Sequence, residues 1–391
     1  MSVLGLVSAV AGLVKVRYLI DKAIIDNMIF RAHYRITCAL LFVCCIIVTA
    51  NNLIGDPIQC INGGGVPYHV INTYCWITYT FTLPHEQHKA IGSQVAGPGL
   101  GNENQERVYH SYYQWVPFVL FFQGVMFYVP HMIWKNWEEG KIRMISEGMR
   151  GSITGAREER QERQSRLVQY LVETMHMHNT YAFGYFLAEA LNFVNVILNI
   201  FMTDKFLGGA FLDYGTEVIR FSNMNQENRT DPMVLVFPRV TKCTFHKYGP
   251  SGSIQKHDAL CVLALNILNE KIYIFLWFWF IILAVLTGMA LVYSAAVVLL
   301  PSTRETILKR RFRFGTPAGV DTVIRKTQVG DFLLLHLLGQ NMNLMVFGEI
   351  LDEFVRRINF GSNSNLPSAP STLEMSPIYP EIEKFGKETE T

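Results

Sequence analysis

The side chains with the narrowest chemical options in this chain are its seven cysteines. Cys38, Cys44 and Cys45 fall in an apolar run, where a thiol serves as a small packing residue. Cys60, Cys75, Cys243 and Cys261 fall in more polar stretches. Thiols pair to disulfides outside the cell and stay reduced in the cytosol, so these four also report on compartment. Four cysteines allow three pairings, and their positions along the chain do not select one.

Other candidate chemistry is sparser. His85-Glu86-Gln87-His88 resembles a helical zinc-protease signature, but its histidines stand at i and i+3 where the metal needs i and i+4. His176-Met177-His178 offers imidazoles and a thioether to copper, yet it abuts an apolar segment, where packing is the commoner use. The run from Gly97 to Gly101, GPGLG, neither follows a strand nor opens a helix, as a phosphate cradle must. No nucleophile, base and orienting group form a catalytic pattern. The expectation is a protein that is not an enzyme and uses no metal or other cofactor.

Glu189, Asn192, Asn195 and Asn199 are spaced by three, three and four, which places them on one helix face. A carboxylate inside a membrane span faces protein or water, so a pore lining is one reading. Hydrogen bonding between helices is the other, and the one favoured, because asparagine is common bundle glue.

The elements that must position these groups are membrane spans. Half of the residues are apolar and 17% are charged, whereas about a quarter are charged in a soluble domain. A net charge of +2 is too near neutral to suggest a nucleic-acid surface. Four stretches reach the roughly 20 residues that cross a bilayer: 36–54, 112–134, 181–202 and 272–300. The stretch 331–351 is broken by a polar GQNMN and reads as a helix packed on protein. The first residues, MSVLGLVSAVAGLVKVR, lack the basic start of a cleavable signal and are expected to remain. Pro117 should kink the second span, as a gating hinge or as a fixed fit to a neighbour. Tyr112, Tyr113 and Trp115 are placed at its outer interface, Trp134 and Trp137 at its inner one.

Lysine and arginine near span ends mark the cytoplasmic side. They crowd the residues before 36, the loop 135–180 and the segment after 300, whereas 55–111 carries only Lys89 and Arg107. Both termini and the middle loop are therefore cytoplasmic, and the loops 55–111 and 203–271 lie outside. The second outer loop is also basic, but long loops escape the bias. All four of the more polar cysteines fall in the outer loops, as does the glycosylation sequon Asn228-Arg229-Thr230. The aromatic and β-branched runs 75–84 and 233–249 are extended in character, so the loops read as a small stapled cap. Glu and Arg at helical spacing in 135–180 and the pattern of 301–360 predict a cytoplasmic helical region. The Ser-, Pro- and Asn-rich residues 361–391 are expected to be disordered.

Five segments in order resemble the innexins, the invertebrate gap-junction family: IDNMIFRAHYR at 25–35, GDPIQC at 55–60, NTYCWITYTFTLP at 72–84, YYQWVPFVLFFQ at 112–123 and FPRVTKCTFHKYGPSGSIQKHDALC at 237–261. The resemblance covers nearly all of residues 1–360. Ala32, Tyr79 and Ala264 depart from the family pattern, and Tyr79, near the cysteine cap, bears on partner choice.

The resemblance implies an all-α polytopic membrane protein with four transmembrane helices, a small disulfide-linked extracellular cap and a helical cytoplasmic domain. It pairs Cys60 with Cys261 and Cys75 with Cys243. It folds the N-terminal segment, 1–35, into the pore mouth, with Met1, Ser2 and Leu4 on the wall, and continues the lining at Asn51, Asn52 and Asp56. It implies plasma-membrane rings of roughly eight subunits with cyclic symmetry, homomeric or mixed with other innexins, each docking with a ring of the adjacent cell at a gap junction. Ions and small molecules would pass passively. An undocked, pannexin-like channel releasing small molecules such as ATP is the alternative, which a glycan on Asn228 near the docking face would favour. A claudin-like adhesion protein is a third reading, and its usual first-loop signature is not visible.

Overall fold

The computed structural model describes residues 23–101, 106–146, 157–222, 231–311 and 317–360. Among them, four helices are long and apolar enough to cross a membrane: α1 (Met28–Ile54), α3 (Val116–Glu138), α6 (Asn179–Phe206) and α9 (Ala264–Leu299). Between α1 and α3 lie β1 (Gln59–Asn62), α2 (Tyr68–Ile77), β2 (Thr80–Thr82) and β3 (Val108–His110); between α3 and α6, α4 (Lys141–Ser146) and α5 (Arg157–Glu173). The connection from α6 to α9 holds α7 (Phe211–Ser222), α8 (Pro232–Val236), β4 (Val240–Tyr248) and β5 (Ile254–Val262). After α9 come α10 (Pro301–Arg311), α11 (Pro317–Lys326), α12 (Val329–Asn341) and α13 (Leu344–Phe360).

The spanning helices pack around Leu41, Val48, Leu120, Phe127, Val196, Leu276 and Phe280, all buried. Their outward faces leave Phe118, Phe121, Leu198, Val285 and Val292 uncovered, which a bilayer tolerates and water does not. Asn27 caps α1 with its Oδ1, which accepts from the Phe30 N–H at 2.6 Å. α9 has 36 residues, about 54 Å of helix, well beyond the ~30 Å of hydrocarbon. The apolar run starts at 272 because the first turns of α9 bury polar groups that bind the preceding connection: Asn266 donates to Pro238 O at 2.8 Å, and Glu270 pairs with Arg239.

The kink expected at Pro117 has no helix interior to act on. Tyr112–Gln114 form a separate 3-10 turn, so α3 starts at Val116 and Pro117 falls in its first turn. A proline there removes only an N–H that has no partner within the helix, so it starts α3 without bending it. Pro130 is the proline in the interior of α3.

At one end of the bundle the two long connections merge into a single five-stranded sheet, β1-β5-β4-β2-β3, antiparallel throughout. β4 and β5 form its spine as a hairpin from Val240↔Val262 to Tyr248↔Ile254. The extended reading of 75–84 holds only for Thr80–Thr82, because Ile71 and Cys75, one helical turn apart, both bury in the cap core on α2. Likewise, Asp231 caps the short α8, accepting from Met233 N–H at 2.9 Å, before the chain extends at Val240.

At the other end the helices form their own core. α12 is apolar all round, with Phe332, Leu333, Leu334, Leu335, Leu337 and Leu338 buried, and a helix of that kind must be surrounded. α4, α6, α10 and α13 surround it. The stretch 331–351 is thus a buried strut, broken between α12 and α13. Gly330 lies so close to the turn before α6 that a Cβ there would collide with the backbone carbonyl of His178.

Candidate functional site

Two disulfides close the cap. Cys60 on β1 stands directly opposite Cys261 on β5 and is bonded to it, with a sequence separation of 201. Cys75 on α2 reaches Cys243 on β4 across a separation of 168. The second bridge is nested in the first, so it closes a ring of roughly 30 residues and removes on the order of 4 kcal/mol of unfolded-chain entropy. Ile58, Ile71, Tyr113, Ala259 and Leu263 fill the space around the sulfurs. Cys60, Cys75 and Cys261 are the only metal-ligand grouping among the described residues, and their sulfurs are consumed by these bonds.

Tyr112, Tyr113 and Gln114 clamp the cap to α3. Tyr113 is buried, stacks on Trp76 at 4.7 Å and donates its hydroxyl to Cys75 O at 3.2 Å. Burial pushes its phenol up to about 12, against the pull of Thr80. Tyr112 donates to Val236 O at 3.3 Å, and Gln114 donates to Ile77 O at 3.2 Å and to Trp76 O. Of the three aromatic residues expected at the outer interface, Trp115 is the one left 61% exposed; of the two expected at the inner one, Trp134 is fully buried and Trp137 is exposed. The tyrosines turn inward because the 3-10 turn rotates them onto the cap.

A second clamp joins the cap to α9. Arg239 grips Glu270 as a fork, with Nη2 to Oε1 at 2.8 Å and Nε to Oε2 at 3.1 Å. Tyr214 adds a bond to Glu270 O at 3.2 Å. Neither residue stands out in the sequence, since the pair joins positions 31 residues apart.

Asn51, Asn52 and Asp56 lie at the end of α1 that meets the cap. Asn51 and Asp56 are exposed; Asn52 is half-buried, with its Oδ1 unpartnered among the described residues. Met1, Ser2, Leu4 and Asn228 fall outside the described residues. His85 and His88 are exposed, and the buried Glu86 between them pairs with Lys89 at 2.8 Å. Burial holds His110 down at about 4, and its Nε2 bonds to the Thr82 hydroxyl at 2.8 Å.

The polar face of α6 is turned into the bundle. Glu189, Asn192, Asn195 and Asn199 are all buried within the subunit. Glu189 accepts from Asn27 Nδ2 at 2.5 Å and from the Ser294 hydroxyl, which ties the entry to α1 to both α6 and α9. Asn199 Nδ2 donates to Asn195 O at 2.8 Å.

The partners of this inner face were invisible in sequence. Trp134 is fully buried against Tyr181 and Tyr185, and its Nε1 donates to Ile25 O at 3.0 Å. His178 Nδ1 lies 2.9 Å from Asp331, which also accepts the His176 N–H at 3.0 Å. Burial drives the Asp331 carboxyl upward, but the His178 ring and the N–H groups of Gln328 and His176 outweigh it and hold it below the usual carboxylate range. His176 and His178 are therefore a joint between α6 and α12.

The contacts described at both ends of the bundle are structural ones. They hold one rigid lobe at one end of a spanning bundle and strap the start of α1 at the other. The Innexin family profile matches residues 26–358. The chain is similar to Innexin inx3 of Drosophila melanogaster, 62% identical over the whole of both chains. It is 46% identical to Innexin inx2 of Schistocerca americana, over 90% of this chain and 97% of that one. To Innexin shaking-B of Drosophila melanogaster it is 39% identical, over 89% and 94% respectively.

Proposed function

The chain belongs to the innexin family, and from that premise we propose that it is a subunit of an intercellular gap-junction channel that passes ions and small molecules passively between adjacent cells. It is a multi-pass membrane protein. In this reading the disulfide-linked sheet faces the neighbouring cell, and the helical end around α12 lies in the cytoplasm. Roughly eight subunits, of this chain alone or with other innexins, ring the pore in the plasma membrane. Met1, Ser2 and Leu4 line its mouth, and Asn51, Asn52 and Asp56 its outer part.

The observation that most supports this reading is the cap. A lobe that must hold one shape against an opposing lobe gains from crosslinks that restrict its alternatives. Both connections enter one sheet, pinned by Cys60–Cys261 and Cys75–Cys243 and clamped to α3 and α9. Current and dye transfer between two cells that both express the chain tests it: transfer is expected, and its absence despite surface expression refutes the docked form. A glycan occupying Asn228 at the surface would favour the undocked alternative, in which single cells would pass current and release ATP without a partner.

A further inference from the structure

We propose that the cavity between α9, α10 and α12 binds the headgroup of an anionic phospholipid from the leaflet at that end of the bundle. The cavity measures about 370 Å³ and is lined by Tyr293 of α9, by Thr303, Thr306, Arg310 and Arg311 of α10, and by His336 of α12. Its place in the fold points to lipid. α9 is the last spanning helix, and α10 begins at Pro301 directly after it. Tyr293 stands six residues before the end of α9 and is 54% exposed, in the position where a phenol meets headgroups.

The charge on the cavity wall is unbalanced. Lys309 is engaged by Glu305 and stands 3.3 Å from Asp321. Its neighbour Arg310 makes no ion pair among the described residues. Arg311 donates Nε and Nη2 to Gly339 O, at 3.0 and 2.6 Å, leaving Nη1 without a partner among the described residues. Two guanidinium groups on one wall, with no carboxylate among the described lining residues, match the oxygens of a phosphodiester, which they can grip by paired N–H donors.

The other lining groups fit the same ligand. Gln340 Nε2 approaches His336 Nε2 at 2.8 Å. A neutral ring that accepts there carries its proton on Nδ1, a further donor. Thr303 and Tyr293 contribute hydroxyls, while Ile307 and the Tyr293 ring offer an apolar wall to the first carbons of the acyl chains. A headgroup fits the volume; a whole lipid does not, so the chains would remain in the bilayer. Basic pockets at the membrane face take anionic headgroups by this combination. The proposal depends on the channel reading only for which leaflet supplies the lipid.

The test uses the full chain purified in a neutral detergent and native mass spectrometry. Dioctanoyl phosphatidylserine, dioctanoyl phosphatidylcholine and free glycerophosphoserine are titrated in separate arms. Phosphatidylserine should bind at least about tenfold tighter than either of the others, and Arg310→Glu should weaken it at least about tenfold. Lys309→Gln, a neighbouring charge outside the cavity, should change it by less than about twofold. Thr303→Phe, which fills the cavity without altering charge, should abolish binding in protein that still elutes as the folded oligomer. Wild-type affinity in folded Arg310→Glu and Thr303→Phe protein overturns the site. Equal losses in Arg310→Glu and Lys309→Gln also overturn it, as do phosphatidylcholine or glycerophosphoserine binding as tightly as phosphatidylserine. No current enters the readout, so a negative result leaves the channel reading untouched.

Discussion

The side-chain amide of Asn341 holds the backbone of Ile24 by both of its polar groups: Nδ2 donates to Ile24 O at 2.7 Å, and Oδ1 accepts the Ile24 N–H at 2.7 Å. This clip joins the end of α12 to the strap that leads into α1. Trp134 on Ile25 and Glu189 on Asn27 fasten the same strap to α3 and α6. Asn341→Ala removes both bonds and leaves a backbone pair unsatisfied, a local cost of about 1–3 kcal/mol. Amide exchange at Ile24 should accelerate at least about tenfold, with little change elsewhere. Unchanged exchange would mean that the clip does not hold the strap.

Cys60→Ser opens the bridge at the outer edge of the sheet, and Cys243→Ser opens the inner one. Either loss should cost on the order of 2–5 kcal/mol of cap stability. Coupling between paired cells should fall to background while the protein still reaches the surface. Normal conductance between cells carrying Cys60→Ser would rule out a docking role for the stapled cap.

Gly330→Ala places a Cβ against the backbone of His178 and Asn179, atoms that cannot swing away as a side-chain tip would. The joint between α6 and α12 must open, at a cost of about 2–4 kcal/mol. The thermal midpoint in detergent should drop accordingly. Gly63→Ala, with open space around its Cβ, should leave it unchanged.

His336 carries the pH dependence of the helical end. Burial, aided by the Arg311 charge, holds the ring down at about 4, whereas it titrates near 6.5 in the unfolded chain. Between those values the unfolded chain binds a proton that the folded one refuses, so stability is full above about pH 6.5 and falls as pH drops toward 4. The loss is on the order of 2–3 kcal/mol. Asp331, held below the usual carboxylate range, loses its contribution only under still more acid conditions. Unfolding midpoints at pH 7 and pH 5 should converge in His336→Gln relative to wild type; an equal gap in both proteins would assign the acid sensitivity to another group.

Pro117→Ala should be mild, within about 1 kcal/mol, because the proline occupies the first turn of α3. A large fall in the thermal midpoint would show that its ring fixes more than the helix start.

The sequence by itself determined the spans, because the cost of exposing backbone polar groups to hydrocarbon forces long apolar helices whatever surrounds them. It also placed Glu189, Asn192, Asn195 and Asn199 on one face, since helical periodicity is local. Their burial inside the bundle, and the choice of Asn27 and Ser294 as partners for Glu189, came only with tertiary structure.

The same division runs through the cap and the strut. Tyr112 and Tyr113 read as interfacial aromatics, but a short 3-10 turn, too small to leave a periodic signal, rotates them inward. Pro117 read as interior for the same reason. Cysteine positions gave the candidates for crosslinking, whereas the pairing of Cys60 with Cys261 is set by strands 201 residues apart lying edge to edge. Contacts such as Asn341 with Ile24 and Asp331 with His178 join segments more than 150 residues apart. Hydropathy and spacing describe only near neighbours along the chain, so contacts of this range are decided by how the helices pack.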